Sequence, residues 1–274
     1  MLPLELLSPA IAKQIQFVLC DIDDTITTDG RLTAEAFGAV EMLSDAGLKV
    51  IPITGRPAGW CDHIARFWPV DAVVGENGAF YMRYDVNRRK MQQRFWAEEP
   101  SRIINRKKLD ALAVDIQRAV PRSAPASDQP YRVADLAIDF CEDVDRLTDT
   151  EIEQIVTMFR AAGATTKVSS IHVNGWFGQY DKLTMTRCLF ADVYRQPTEQ
   201  LQAQILFIGD SPNDESMFDY FDLSVGVANV EANLHNLVAK PKYICQAKGG
   251  AGFMEMAQAL VKPRTRALCL PSPR

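Results

Sequence analysis

Three carboxylates, Asp21, Asp23 and Asp24, crowd behind the apolar run Phe17-Val18-Leu19-Cys20. A run of that length with polar residues beyond it reads as a buried strand. Acids clustered at the end of a buried strand repel one another unless a cation sits among them. The bland alternative is an Asp-rich turn that caps the next helix. Two further apolar stretches end in comparable fashion. Residues 48–53 run into Thr54-Gly55-Arg56, and residues 205–208 run into the segment carrying Asp210, Asn213 and Asp214. Lys182 is the candidate cation. If the strands are neighbours, their ends converge on one small cleft of hard oxygen ligands, which suits Mg²⁺. A carboxylate beside Mg²⁺ and a lysine can attack phosphorus, forming an aspartyl-phosphate that water then hydrolyses. Asp23 would protonate the leaving alkoxide and later activate water. An extended chain would put Asp21 and Asp23 on one side, whereas a turn from Ile22 would swing Asp23 over the substrate. Both remain open at this level.

The elements that must position these residues alternate. Strands at 17–20, 48–53 and 72–74 enclose helices that start at Thr33 and behind Pro57, the latter running to about Phe67. This βαβαβ order predicts a doubly wound, mostly parallel, Rossmann-like α/β sheet, with ligands at the carboxyl ends of its strands. Pro52 fits such a strand only at its end. From about residue 84 the pattern changes to an inserted α+β cap domain. A hairpin over 79–96 leads into it. Helices at 103–120 and 148–162 follow, with strands at 136–140, 165–168 and 171–176. The expected division is core at 1–83, cap at 84–178, core again at 179–262 and a frayed tail at 263–274. The second core part should hold helices at 183–194, 216–221, 231–239 and 253–261, with strands at 205–208, 223–227 and 242–245.

Composition narrows the function classes. With 47% hydrophobic and 24% charged residues in 274, the chain is ordinary for a globular protein. A net charge of -5 gives no reason to expect nucleic-acid binding. No apolar run approaches the roughly 18–20 residues that span a bilayer, so no membrane partner is expected. The N-terminus lacks the basic start of a signal peptide. Six scattered cysteines without CxxC spacing suit free thiols in a reducing cytoplasm. A homo-oligomer is left open.

Taken together, DIDDT, TGR, DK and GDSPND in this order and spacing resemble the haloacid dehalogenase superfamily of phosphatases. The resemblance covers about residues 15–82 and 179–261. It implies Asp21 as nucleophile, Asp23 as general acid/base, Thr54 as a phosphate donor and Lys182 as the neutralising cation. It further implies Mg²⁺ held by Asp21, the Asp23 carbonyl and Asp210, with Asp214 ligating directly or from behind. Asn213 would help to hold this end of the site, and Gly55, Arg56 and Asn77 join the substrate-binding set. The position of the insert, between TGR and the lysine, is similar to the type IIB branch with its C2 cap. That branch includes Cof-like sugar phosphatases and the trehalose-, sucrose- and mannosyl-3-phosphoglycerate-phosphate phosphatases. It implies a small phosphorylated substrate, a sugar phosphate above others.

Each reading has a competitor. Thr54 could be a helix N-cap. His172, Asn174 and Trp176 share one strand face and could line a substrate pocket, or could form a surface strand with an interfacial Trp. The basic hairpin residues Arg83, Arg88, Arg89, Lys90 and Arg94 read as a solvated face, and Trp60 as a packing residue. A phosphomutase would use the same intermediate, but there is no room for a domain between Asp23 and Thr54. A non-catalytic sugar-phosphate sensor would have no need of Asp23. A dinucleotide-binding fold fails because the first strand ends in DIDDT instead of a GxGxxG loop.

Overall fold

A computed structural model describes residues 1–268. The chain opens with β1 (Leu2–Pro3), α1 (Pro9–Gln14) and β2 (Phe17–Cys20), followed by α2 (Ala34–Asp45), β3 (Lys49–Pro52), α3 (Ala58–Phe67) and β4 (Val73–Gly75). A hairpin of β5 (Phe80–Asp85) and β6 (Lys90–Phe95) precedes the insert elements: α4 (Glu99–Ala119), β7 (Ala124–Pro125), β8 (Asp135–Asp139), α5 (Asp149–Ala161), β9 (Thr165–Val168) and β10 (His172–Trp176). The chain then returns through α6 (Lys182–Leu189), β11 (Ile205–Gly209), α7 (Glu215–Tyr220), β12 (Ser224–Gly226), β13 (Tyr243–Ile244) and α8 (Gly249–Leu268).

The main sheet has the order β1-β13-β12-β11-β2-β3, and every pair in it is parallel. Strand β2 is apolar throughout because both faces of this sheet are covered. Val18 and Cys20 pack with Val40 and Leu43 of α2 and Phe253 and Met256 of α8. Phe17 and Leu19 pack on the opposite face with Met185 and Leu189 of α6 and Met217 and Phe218 of α7. Pro52 is the last residue of β3, opposite Cys20, where its missing N–H does the ladder least harm. The chain leaves β2 on one side for α2 and β3, and re-enters on the other at β11. That reversal opens a crevice at the carboxyl ends of β2 and β11.

The insert has its own four-stranded sheet, β7-β8-β10-β9, and its own core. Leu109 and Ile116 of α4 and Ile155 and Phe159 of α5 cover Leu136, Ile138 and Val173. Helix α5 is closed at its start by a reciprocal capping box between Thr148 and Glu151.

Three features differ from the sequence expectations. The hairpin pairs antiparallel with β4 (Val73 opposite Met82), which buries Phe80, Tyr81 and Met82, so a boundary at residue 84 falls inside β5. The expected helix at 231–239 is a 3-10 stretch, Ala228–Asn236, whose Asn229 and Asn233 side chains bond outside it. The last helix is longer than expected and runs through Pro263 to Leu268. Beyond that proline, Arg264 is tied to the carbonyls of Leu260 and Ile15, and the helix continues where the frayed tail was expected to begin. Residues 269–274 lie outside the described part.

Candidate active site

Asp21 lies one residue beyond β2, its N–H donating to Ile208 O at 2.9 Å. Extended geometry stops at Ile22, whose carbonyl accepts the N–H groups of Thr25, Ile26 and Thr27. Of the two arrangements open in the sequence, the chain therefore takes the turn. Asp24 sits in that turn at φ 56°, and its carbonyl accepts from Asn229 Nδ2 at 2.8 Å. Thr25 is buried and donates to Asp210 Oδ1 at 3.2 Å, binding the first strand end to the fourth motif.

Lys182 is the first residue of α6, which Asp181 caps by accepting from Thr184 N at 2.8 Å. Its side chain is 1% exposed, and Nζ stands 2.7 Å from both Asp21 Oδ1 and Asp214 Oδ1. The other Asp214 oxygen accepts from Asp210 N (3.0 Å) and Ser211 N (3.2 Å). Asp214 thus spends both oxygens on holding the lysine and the loop. Asp210 is held by Thr25 and by Asn229 Nδ2 (3.2 Å). Asp21, Asp210 and Asp214 bring ligand atoms within 4.8 Å of one another, all three buried. Against three carboxylates stands one ammonium, which leaves two negative charges uncompensated. Burial pushes Asp21 up to about 8 in spite of Lys182, and pushes Asp210 well above its ordinary value, with Asp21 and Asp214 adding repulsion. A cation is what such a donor set lacks, and its all-oxygen chemistry fits a hard divalent ion.

Thr54 is buried but is not a helix N-cap, since Pro57 occupies that position in α3. Its Oγ1 accepts from Arg56 N at 3.0 Å, which curls the loop after β3. Asn77, at φ 54°, accepts from Asn213 Nδ2 through Oδ1 at 3.2 Å, while its own Nδ2 is buried and without a partner. A Cβ on Gly55 would come 3.2 Å from that nitrogen, a tight contact to which the Asn77 amide would have to give by a few tenths of an ångström.

The insert closes over this floor. Asp21, Asp23, Gly55, Arg56 and Asn213 share a cavity of about 10 Å³ with Arg132, Ser169, Ile171, His172 and Asn174 of the insert. That is space for about one water molecule. His172 and Asn174 therefore face the predicted floor residues. Trp176 does not, because it is buried on Tyr180 with Nε1 bonded to the Tyr180 carbonyl.

A family model described as haloacid dehalogenase-like hydrolase matches residues 18–170, more than half of the chain. The chain belongs to that family. No curated protein matches the sequence. Among solved structures, a Thermoplasma acidophilum protein is similar at TM-score 0.67 and 18% identity, over 90% of this chain and 98% of that one. The C-terminal domain of Candida albicans trehalose-6-phosphate phosphatase gives TM-score 0.68 at 14% identity, covering 96% and 98%. Sucrose-phosphatase from Synechocystis, in complex with sucrose and phosphate, gives 0.61 at 18%, covering 90% and 98%. At these identities the likeness is one of fold.

Within this hydrolase fold, Arg56 departs from its expected place. Its Nε and Nη2 grip Asp23, at 2.8–3.0 Å, instead of standing free for a substrate. Trp60, read as packing, is 44% exposed and lies under the guanidinium at 4.5 Å. Three insert residues absent from the sequence reading reach the same place. Glu142 and Asp128 contact Arg56, and Arg132, fully buried, binds Gly55 O at 2.8 Å as well as Asp128 and Asp135. Glu76 was also missed. Its buried carboxylate accepts from Ala58 N in the core and from Val133, Ala134 and Asp135 N–H groups in the insert. No sequence signal marked Glu142, since β8 pairs antiparallel with both neighbours and the strand-end rule that marks Asp21 and Asp210 holds for parallel sheets. The basic hairpin residues Arg83, Arg88 and Arg94 pair with Asp71, Asp85 and Asp192, as a solvated face should. No helix among the described residues is long and apolar enough to cross a membrane.

Proposed function

We propose that this hydrolase is a Mg²⁺-dependent phosphatase that releases phosphate from a small phosphomonoester, a sugar phosphate, through an aspartyl-phosphate. The observation that carries the reading is Lys182, buried and shared at 2.7 Å between Asp21 and Asp214, beside Asp210. An ammonium there can neutralise both a carboxylate nucleophile and an incoming phosphate. Asp21 and Asp210 would hold the ion, with the Asp23 carbonyl as a third ligand and Asp214 supporting from behind. Bound Mg²⁺ would supply charge neutralisation to the phosphoryl oxygens. Asp21 Oδ attacks phosphorus as the bond to the leaving oxygen breaks, and Asp23 gives that oxygen its proton. Asp23 then takes a proton from water, the water oxygen bonds to phosphorus, and Asp21 leaves as a carboxylate with inorganic phosphate. Thr54 and the unpartnered Asn77 amide would bind phosphoryl oxygens, while His172 and Asn174 would meet the leaving group.

The insert would act as the mobile cap. A cleft of about 860 Å³ opens between core and insert beside Asp210, but the cavity at Asp21 and Asp23 is only about 10 Å³, so the insert must shift for a substrate to reach the nucleophile, and closure excludes bulk water. A sugar leaving group is supported by the fold shared with the trehalose-6-phosphate phosphatase and sucrose-phosphatase structures. Among the described residues, three of the five free cysteines are buried, which suits the cytoplasm. The test is phosphate release from p-nitrophenyl phosphate with and without Mg²⁺, and from a panel of sugar and nucleotide monophosphates. Asp21→Asn should abolish turnover and leave the fold intact. Unchanged turnover in that variant would end the mechanism.

A further inference from the structure

The guanidinium of Arg56 is saturated from two layers. On the core side, Nε and Nη2 grip the Asp23 carboxylate. On the insert side, Nη2 donates to Glu142 Oε1 at 2.7 Å, and Nη1 reaches Glu142 Oε2 at 3.5 Å and Asp128 Oδ2 at 3.4 Å. All three nitrogens are engaged, and Trp60 supports one face of the plane. Guanidinium geometry makes this binding directional: one fork fixed on Glu142 dictates where the other must hold Asp23.

Glu142 is itself held firmly. Asp139 accepts the N–H groups of Cys141, Glu142 and Asp143 at 2.7–2.9 Å, which shapes the turn behind β8. His172 Nε2 stands 2.9 Å from Glu142 Oε2, outside good hydrogen-bond alignment. Burial would raise the Glu142 carboxyl, but His172 and Arg56 bring it down to about 2, so it stays ionised as Arg56's partner.

We propose that Glu142 is a positioning residue which, when the insert docks, fixes Arg56 and through it aims Asp23 at the leaving oxygen. With the insert withdrawn, Arg56 keeps Asp23 alone and loses the contacts that orient both. Proton delivery is thereby tied to closure. The inference rests on Asp23 as the proton-transfer residue.

The experiment is a series of aryl phosphates of graded leaving-group acidity, from 4-nitrophenyl to phenyl phosphate, which takes sugar recognition out of the comparison. Phenolate needs the proton from Asp23 and nitrophenolate scarcely does. Glu142→Ala should lower kcat/KM about tenfold for phenyl phosphate and less than about threefold for 4-nitrophenyl phosphate, at wild-type folding stability. The near-isosteric Glu142→Gln, which keeps one oxygen for Nη2, should fall between the two. A uniform loss across the series would mean a merely structural residue and overturn the proposal, as would no loss at all. A KM change with kcat intact would make Glu142 a substrate contact and overturn it equally. Asp23→Asn, run beside these, separates the two levels. If it shows the steepened dependence and Glu142→Ala does not, only the positioning role fails. If Asp23→Asn cleaves the whole series like wild type, the acid/base assignment itself fails.

Discussion

Gly78 offers a sharp test of how the core seats its lysine. The residue sits at φ +106°, and a Cβ built there would lie 2.0 Å from Asp181 O and 2.4 Å from Asp181 C. Contacts of that kind need about 3.4 Å, so alanine would displace the start of α6 by about 1 Å or more. Lys182 is the next residue, and Asp181 caps its helix. Two costs add. The positive φ costs about 1–2 kcal/mol for a residue with a side chain, and overpacking costs about 1–3 kcal/mol more. Gly78→Ala should therefore lose about 2–5 kcal/mol in urea denaturation. Phosphate release should fall about 100-fold, the usual price of an ångström of misplacement. Gly163→Ala is the matched control, because Gly163 has φ +76° with nothing within 4 Å. It should lose only the backbone term and keep full activity. If Gly78→Ala retained activity within about threefold of wild type and lost no more stability than Gly163→Ala, the seating argument would be refuted.

Two further outcomes are expected. Lys182→Met strands two buried carboxylates, so it should lose about 3–5 kcal/mol of stability by urea denaturation. Its turnover should fall at least about 100-fold, and retention of a tenth or more would contradict the shared-cation reading. For Glu76, burial first and Asp135 second push the carboxyl from an ordinary 4.5 up to about 7, against Arg132 and the insert's N–H groups. The folded protein then binds more protons than the unfolded chain between those values. The stability this group gives is complete below pH 4.5 and is lost as pH rises to about 7. Asp21 and Asp210 add a decline of the same sign, so urea midpoints should fall more steeply from pH 5 to pH 8 in wild type than in Glu76→Gln, and parallel pH profiles would refute it.

The sequence by itself determined which residues gather at the floor of the crevice. Asp21, Thr54 and Asp210 follow apolar strands whose parallel, alternating order obliges their ends to meet at one edge. Adding Lys182 at a helix start needed only the matching order of motifs. What tertiary structure alone decided is how the long polar side chains are shared. Arg56 turned to Asp23 instead of standing free because Glu142 and Asp128, from 86 and 72 residues away in sequence, complete its guanidinium. Which groups Asp214 would meet was decided only when the fold brought neighbouring backbone N–H groups and Lys182 to its two oxygens. Glu76 became a buried bridge only when residues 133–135 were folded against it. Local pattern governs which way a strand residue faces, since burial and backbone period act over a few residues. The partner of a flexible charged side chain is set by whatever distant backbone and charge the fold delivers within 3 Å. The meeting of the floor residues was therefore legible in the chain, and their contacts with the insert were not.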